Sequence, residues 1–108
     1  AKGARLLAGG KARQDKGGCF FEPTLLEGVD EGMAIFHEET FGPVLSVIRV
    51  ASEDEAIRRA NASSFGLGSS VFSRSRRRAE SIASRLQSGS SCINDFGMAY
   101  MAQDLPFG

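Results

Sequence analysis

Apolar residues fall in short clusters along the chain, and their spacing changes near residue 50. Before that point the clusters are strand-like. Arg5–Ala8 (R-L-L-A) and residues 20–26 (F-F-E-P-T-L-L) are separated by Gly9-Gly10, a polar stretch and Gly17-Gly18, which predicts two strands joined as an antiparallel hairpin. Residues 28–32 are turn-rich and acidic, and residues 33–41 are mixed, a short helical turn stopped by Gly42-Pro43. Residues 44–50 (V-L-S-V-I-R-V) are apolar at nearly every position and dense in β-branched side chains, as expected of a central strand buried on both faces.

Helical spacing follows. Ser52-Glu53-Asp54-Glu55 reads as a capping box, because a serine hydroxyl accepts from the third following amide while Glu55 reaches back, and the acidic first turn suits the helix dipole. The helix runs to about Asn61 with Ala56, Ile57 and Ala60 on one face. Phe65-Gly66-Leu67-Gly68 breaks the pattern before a short strand at residues 70–72. Ser75 then caps a second helix through Leu86, with Ala79, Ile82, Ala83 and Leu86 at core-facing spacing, and Gly89 closes it ahead of a strand at residues 91–94. Strand-helix-strand-helix-strand order defines the expected fold class: α/β, a parallel sheet with crossover helices preceded by a β-hairpin. In such sheets ligands sit outside the carboxyl ends of the strands.

A chain of 108 residues has room for a single compact unit. Two crossovers and a hairpin bury a modest core, and a small parallel sheet with uncovered edges is marginal by itself. The chain starts without Met and stops at Pro106-Phe107-Gly108 after an apolar stretch. The expectation is a partial domain, truncated at both ends and dependent on the remainder of its own polypeptide.

Composition adds mainly exclusions. At 42% hydrophobic and 24% charged residues, with thirteen basic residues balancing thirteen acidic ones, the chain has the make-up of a soluble domain without a polyanionic partner. Basic residues concentrate only at Arg74 and Arg76-Arg77-Arg78. Three arginines at the start of a helix oppose its dipole, so a phosphate-gripping patch stands as a reading beside a solvated face. Cys19 and Cys92 lie far apart with no C-x-x-C spacing, which argues against a disulfide framework or a zinc site. No apolar run is long enough to span a bilayer, and no signal-peptide pattern opens the chain. A cytoplasmic protein with no nucleic-acid partner, no membrane and no metal is expected.

The richest chemistry lies at residues 37–44, H-E-E-T-F-G-P-V. Gly42-Pro43 fixes a sharp exit into the following strand, displaying Glu39 as an anionic acceptor and Phe41 as an apolar face. Such a pair suits a polyhydroxylated, ring-bearing ligand. A solvated acidic turn followed by a core phenylalanine fits the spacing as well. Cys92, in a short apolar strand, reads as a buried structural thiol, Cys19 as a half-exposed packing residue, and His37 as a surface residue beside the acidic pair.

Glu38-Glu39-Thr40-Phe41-Gly42-Pro43-Val44 closely resembles the E-E-x-F-G-P motif of the aldehyde dehydrogenase superfamily. Gly18-Cys19-Phe20-Phe21-Glu22-Pro23-Thr24 is similar to the G-x-F-x-x-P-T strand of that family. Glu55-Ala56-Ile57, Ala60-Asn61, Phe65-Gly66-Leu67, Val71-Phe72 and Ile93-Asn94 follow in the family's order, and Leu105-Pro106-Phe107-Gly108 resembles the start of its P-F-G-G segment. The resemblance spans nearly the whole chain and places it in the C-terminal part of the catalytic domain. It implies oxidation of an aldehyde to a carboxylic acid with NAD or NADP as hydride acceptor, by covalent catalysis through a cysteine thiolate. It further implies that Glu39 accepts hydrogen bonds from the hydroxyls of the nicotinamide-side ribose, that Phe41 packs near the ring, and that Phe96 and Met98 border the aldehyde tunnel. The parent is expected to be a homo-oligomer.

The family's nucleophilic cysteine, water-activating glutamate, oxyanion-stabilising asparagine and phosphate-binding glycines have no counterpart here, so no catalytic residue is assigned and the chain alone is expected to be inactive. A non-catalytic module derived from the same fold, or a basic-patch nucleic-acid binder, are the competing readings. A hydrolase built on Ser91, His37 and Asp95 lacks a nucleophile elbow.

Overall fold

The computed structural model describes residues 3–102 and residue 104, so the terminal Leu105-Pro106-Phe107-Gly108 motif lies outside the described residues. Two compact units divide the chain, Ala1–Arg49 and Val50–Gly108, where the sequence predicts one. The division follows from strand pairing. Instead of one parallel sheet there are two, a three-stranded sheet in the first unit and a two-stranded sheet in the second.

The first unit holds β1 (Arg5–Ala8), β2 (Thr24–Glu27), a single-turn α1 (Ala34–His37) and β3 (Val44–Val47). Sheet order is β1-β2-β3, with β1 antiparallel to β2 as the hairpin reading expects, and β3 parallel to β2 in the register Thr24↔Val44 through Glu27↔Val47. A bulge between Leu6 and Ala8 shifts the hairpin register. The central strand is therefore β2 and not the predicted run at residues 44–50; β3 stands at the sheet edge, and Leu45 is 64% exposed rather than buried on both faces. An apolar run reports burial only where a neighbour exists on each side, and among the described residues β3 has one neighbouring strand.

Val29, Met33 and the side chain of Thr24 form the buried part of this unit. The Thr24 hydroxyl donates to the Glu22 carbonyl and accepts from Gly10 N, both at 2.8 Å, which satisfies a polar atom that burial would otherwise leave unpaired. Glu27 binds Arg5 across the hairpin and Arg49 just beyond β3. The two guanidiniums, Arg5 first, hold the Glu27 carboxyl below the usual carboxylate range.

The second unit comprises α2 (Glu53–Asn61), β4 (Gly68–Val71), α3 (Arg76–Ala83) and β5 (Ser90–Ile93). Ser52 Oγ accepts from Glu55 N at 3.1 Å, while the Glu55 carboxylate accepts from Ala51 N at 2.8 Å, one residue before the N-cap that a standard capping box would satisfy. Ser75 caps α3 through Arg78 N. The helix ends at Ala83 rather than Leu86, because Arg85 N and Leu86 N turn back to the carbonyls three residues earlier. Strands β4 and β5 pair in parallel from Gly68↔Ser90 to Val71↔Ile93, the β-α-β crossover that the alternating pattern predicts. Ile57, Val71 and Ala79 make the core; Ala60, expected to join Ile57, is exposed.

Candidate functional site

The loop carrying Glu39 and Phe41 begins where α1 stops. Glu38 is its C-cap, its N–H bonded to the Ala34 carbonyl at 2.7 Å, and extended backbone there ends the helix. Phe41 then adopts φ 44°, a left-handed conformation that a bulky L-residue rarely holds. Downstream, Val44 N donates to the Gly42 carbonyl at 2.7 Å, closing a three-residue turn, and Thr24 N donates to the Pro43 carbonyl at 2.7 Å. The chain is thus pinned at its entry to β3, and the conformational strain falls on Phe41. Gly42 takes none of it, since a Cβ there would meet only Thr40 at an ordinary 3.7 Å.

The consequence is a phenylalanine that is 93% exposed, which removes the alternative of a core residue within this unit. Glu39, two residues earlier, is exposed, and its carboxylate is bonded to no other described residue. An open apolar depression of about 520 Å³ lies at the start of β2 and β3, lined by Ala8, Pro23, Thr24, Leu25, Gly42, Pro43, Val44 and Leu45. Neither Glu39 nor Phe41 lines this depression; the turn before β3 presents an exposed ring two residues after an exposed hydrogen-bond-accepting carboxylate.

Phe96 and Met98 belong to the second unit, so the structure does not join the two predicted pairs within one unit. Phe96 is 85% exposed, its N–H held by Asp95 Oδ1 at 2.6 Å, and Met98 opens a 3-10 turn at Met98–Met101. The residue that launches this segment is visible in the sequence only as a motif letter, without its structural role. Asn94 has φ 53° and clamps the backbone of Ser73 with both ends of its amide. An asparagine directly after a strand was the available signal, since asparagine tolerates the left-handed region and offers a donor and an acceptor together.

The remaining sequence candidates take structural roles. His37 donates from Nε2 to the Glu31 carbonyl and meets Phe36 edge-on, ring centroids 5.0 Å apart. Cys92 is half-buried rather than buried, opposite Ser70 in the parallel ladder, and Cys19 is exposed rather than half-exposed. In the basic stretch Arg78 pairs with Glu53 and Arg76 with Glu80, which offsets part of the conflict with the α3 dipole. No helix among the described residues is long and apolar enough to cross a membrane.

The parallel pairings β2–β3 and β4–β5, with helices between the strands, make the chain a mixed α/β piece, and residues 38–44 add the E-E-T-F-G-P-V turn. The sequence model of the aldehyde dehydrogenase family matches residues 1–108, and the chain belongs to that family. A succinate-semialdehyde dehydrogenase [NADP(+)] of Deinococcus radiodurans is 49% identical over 107 residues, 99% of this chain and 22% of the relative. Betaine aldehyde dehydrogenase of Staphylococcus aureus, solved with NAD+, superimposes with a TM-score of 0.80 at 43% identity, over 89% of this chain and 20% of the other. An NAD+-complexed aldehyde dehydrogenase of Mycobacterium tuberculosis gives a TM-score of 0.82 at 37% identity, with the same coverage. The chain spans about a fifth of the length of these relatives.

Proposed function

We propose that residues 1–108 are part of the catalytic domain of an NAD(P)-dependent aldehyde dehydrogenase and supply contacts on the nicotinamide side of its active site. The observation that carries this reading is Phe41, an exposed aromatic ring held at φ 44° two residues after an unbonded carboxylate. When bound, NAD or NADP supplies the hydride acceptor. Glu39 accepts hydrogen bonds from the ribose hydroxyls, and Phe41 gives the nicotinamide an apolar surface that limits its rotation. Phe96 and Met98 present apolar surface to the aldehyde and keep water from its chain. All four are binding and positioning residues, and the catalytic thiolate comes from outside this sequence.

Orientation of this kind matters because a displacement of about an ångström at the reacting atoms costs on the order of a hundredfold in rate. The names of the relatives include both NADP(+) and NAD+, and the proposal takes in either cofactor. It places the parent in the cytoplasm as a homo-oligomer, with an aldehyde and the rest of its own polypeptide as partners. The test is aldehyde-dependent reduction of NAD+ and NADP+ by the full-length parent, by this chain alone and by a parent carrying Glu39→Gln. Activity in the parent, none in the chain and reduced turnover in the variant support the assignment. A parent inert with every aldehyde sinks it.

A further inference from the structure

One side chain joins the carboxyl ends of β4 and β5. Asn94 Oδ1 accepts from Ser73 N at 2.7 Å, and Asn94 Nδ2 donates to the Ser73 carbonyl at 2.9 Å. A single amide therefore satisfies both backbone groups of a residue just beyond β4. The Asn94 N–H itself donates to the Val71 carbonyl at 2.9 Å, continuing the ladder by one step. Three bonds converge on Asn94 and hold it at φ 53°.

That positive φ turns the chain out of β5 immediately before the segment assigned to the aldehyde. Asp95 Oδ1 takes the Phe96 N–H, Gly97 adds a second positive φ of 92°, and the 3-10 turn at Met98–Met101 folds back against β5. Phe96 and Met98 are both exposed, so burial within this unit does not fix their direction. The clamp does.

A second amide clamp supplies an internal comparison. Asn61 Nδ2 donates to the Arg85 carbonyl and Asn61 Oδ1 accepts from Gln87 N, both at 2.9 Å. It ties the end of α2 to the turn after α3, and no candidate site residue adjoins it.

We infer that Asn94 is a positioning residue for the aldehyde: its clamp on the Ser73 backbone sets where Phe96 and Met98 stand, and with them which aldehydes are accepted. The inference rests on the dehydrogenase reading above. It is tested in the full-length parent with three variants. Asn94→Gly keeps the left-handed backbone accessible and removes both side-chain bonds. Asn94→Asp keeps the acceptor for Ser73 N but sets a second oxygen against the Ser73 carbonyl, and it carries the test if the glycine variant does not fold. Asn61→Ala breaks the comparison clamp.

In Asn94→Gly the KM for aldehyde is expected to rise about tenfold or more while the KM for NAD(P) stays within about twofold. Discrimination among aldehydes of different chain length flattens, and hydrogen exchange at the Ser73 amide accelerates. Asn94→Asp is intermediate. Asn61→Ala lowers the melting temperature and leaves the aldehyde KM unchanged. Unchanged aldehyde KM and discrimination in Asn94→Gly despite a deprotected Ser73 amide overturn the inference, as does an equal shift in Asn61→Ala. A wild-type parent inert toward every aldehyde overturns the dehydrogenase reading itself, and this inference with it.

Discussion

A Cβ on Gly9 would stand 2.1 Å from the carbonyl oxygen of Pro23, closer than any side-chain carbon can approach. Gly9 also has φ +71°, so both space and backbone conformation demand glycine where the end of β1 crosses the start of β2. Gly9→Ala is expected to destabilise the chain by roughly 2 kcal/mol or more, through the clash and the left-handed backbone together. A denaturant midpoint equal to that of wild type would show that the crossing relaxes freely.

Acid should loosen the first unit through Glu27. Its carboxyl is held below the usual carboxylate range by Arg5 and Arg49, so the stabilisation is fully present above that range. It is lost as pH falls through the lowered folded value, when protonation removes the negative charge shared by the two guanidiniums. Thermal melts across the acid range should show a shallower slope in Glu27→Gln than in wild type. Identical slopes would mean that the ion pairs leave stability unaffected.

Ile57 is 5% exposed and is the buried residue of α2. Ile57→Ala should cost about 2–5 kcal/mol, the range for truncating a buried aliphatic side chain. Chemical denaturation followed by circular dichroism measures it, and a loss under about 1 kcal/mol would indicate that the surroundings collapse into the space.

At Phe41 stability and the proposed function pull in opposite directions. Phe41→Gly relieves the left-handed strain and should hold or raise stability by up to about 1 kcal/mol. In the full-length parent the same change should lower aldehyde turnover roughly tenfold if the ring orients the nicotinamide as proposed. Turnover at the wild-type level would remove Phe41 from the site.

What could be read from the sequence depended on how local its cause was. Ser52 and Ser75 announced their helices because a cap is decided within four residues, and both hydroxyls accept the expected amides. The V-L-S-V run of β3 announced a strand correctly, yet its place at the edge depends on partners far along the chain. The same nonlocality hid the division into two sheets. The E-E-T-F-G-P-V turn was legible as a family motif, whereas the strain at Phe41 was not, because no propensity places a bulky aromatic at φ 44°. Asn94 was legible as a motif letter and illegible as a clamp, since Ser73 lies 21 residues away.

The two sheets carry different hazards outside a larger assembly. In β4 and β5 serine fills four of eight positions, so the unpaired sides of that ladder are readily wetted. Strand β3 offers Val44, Leu45 and Val47 on an edge with no further strand among the described residues, the kind of template on which chains stack into insoluble β-structure. Clumping of the isolated chain should therefore begin at β3, and Leu45→Lys should suppress it in light scattering while leaving the β4–β5 half untouched.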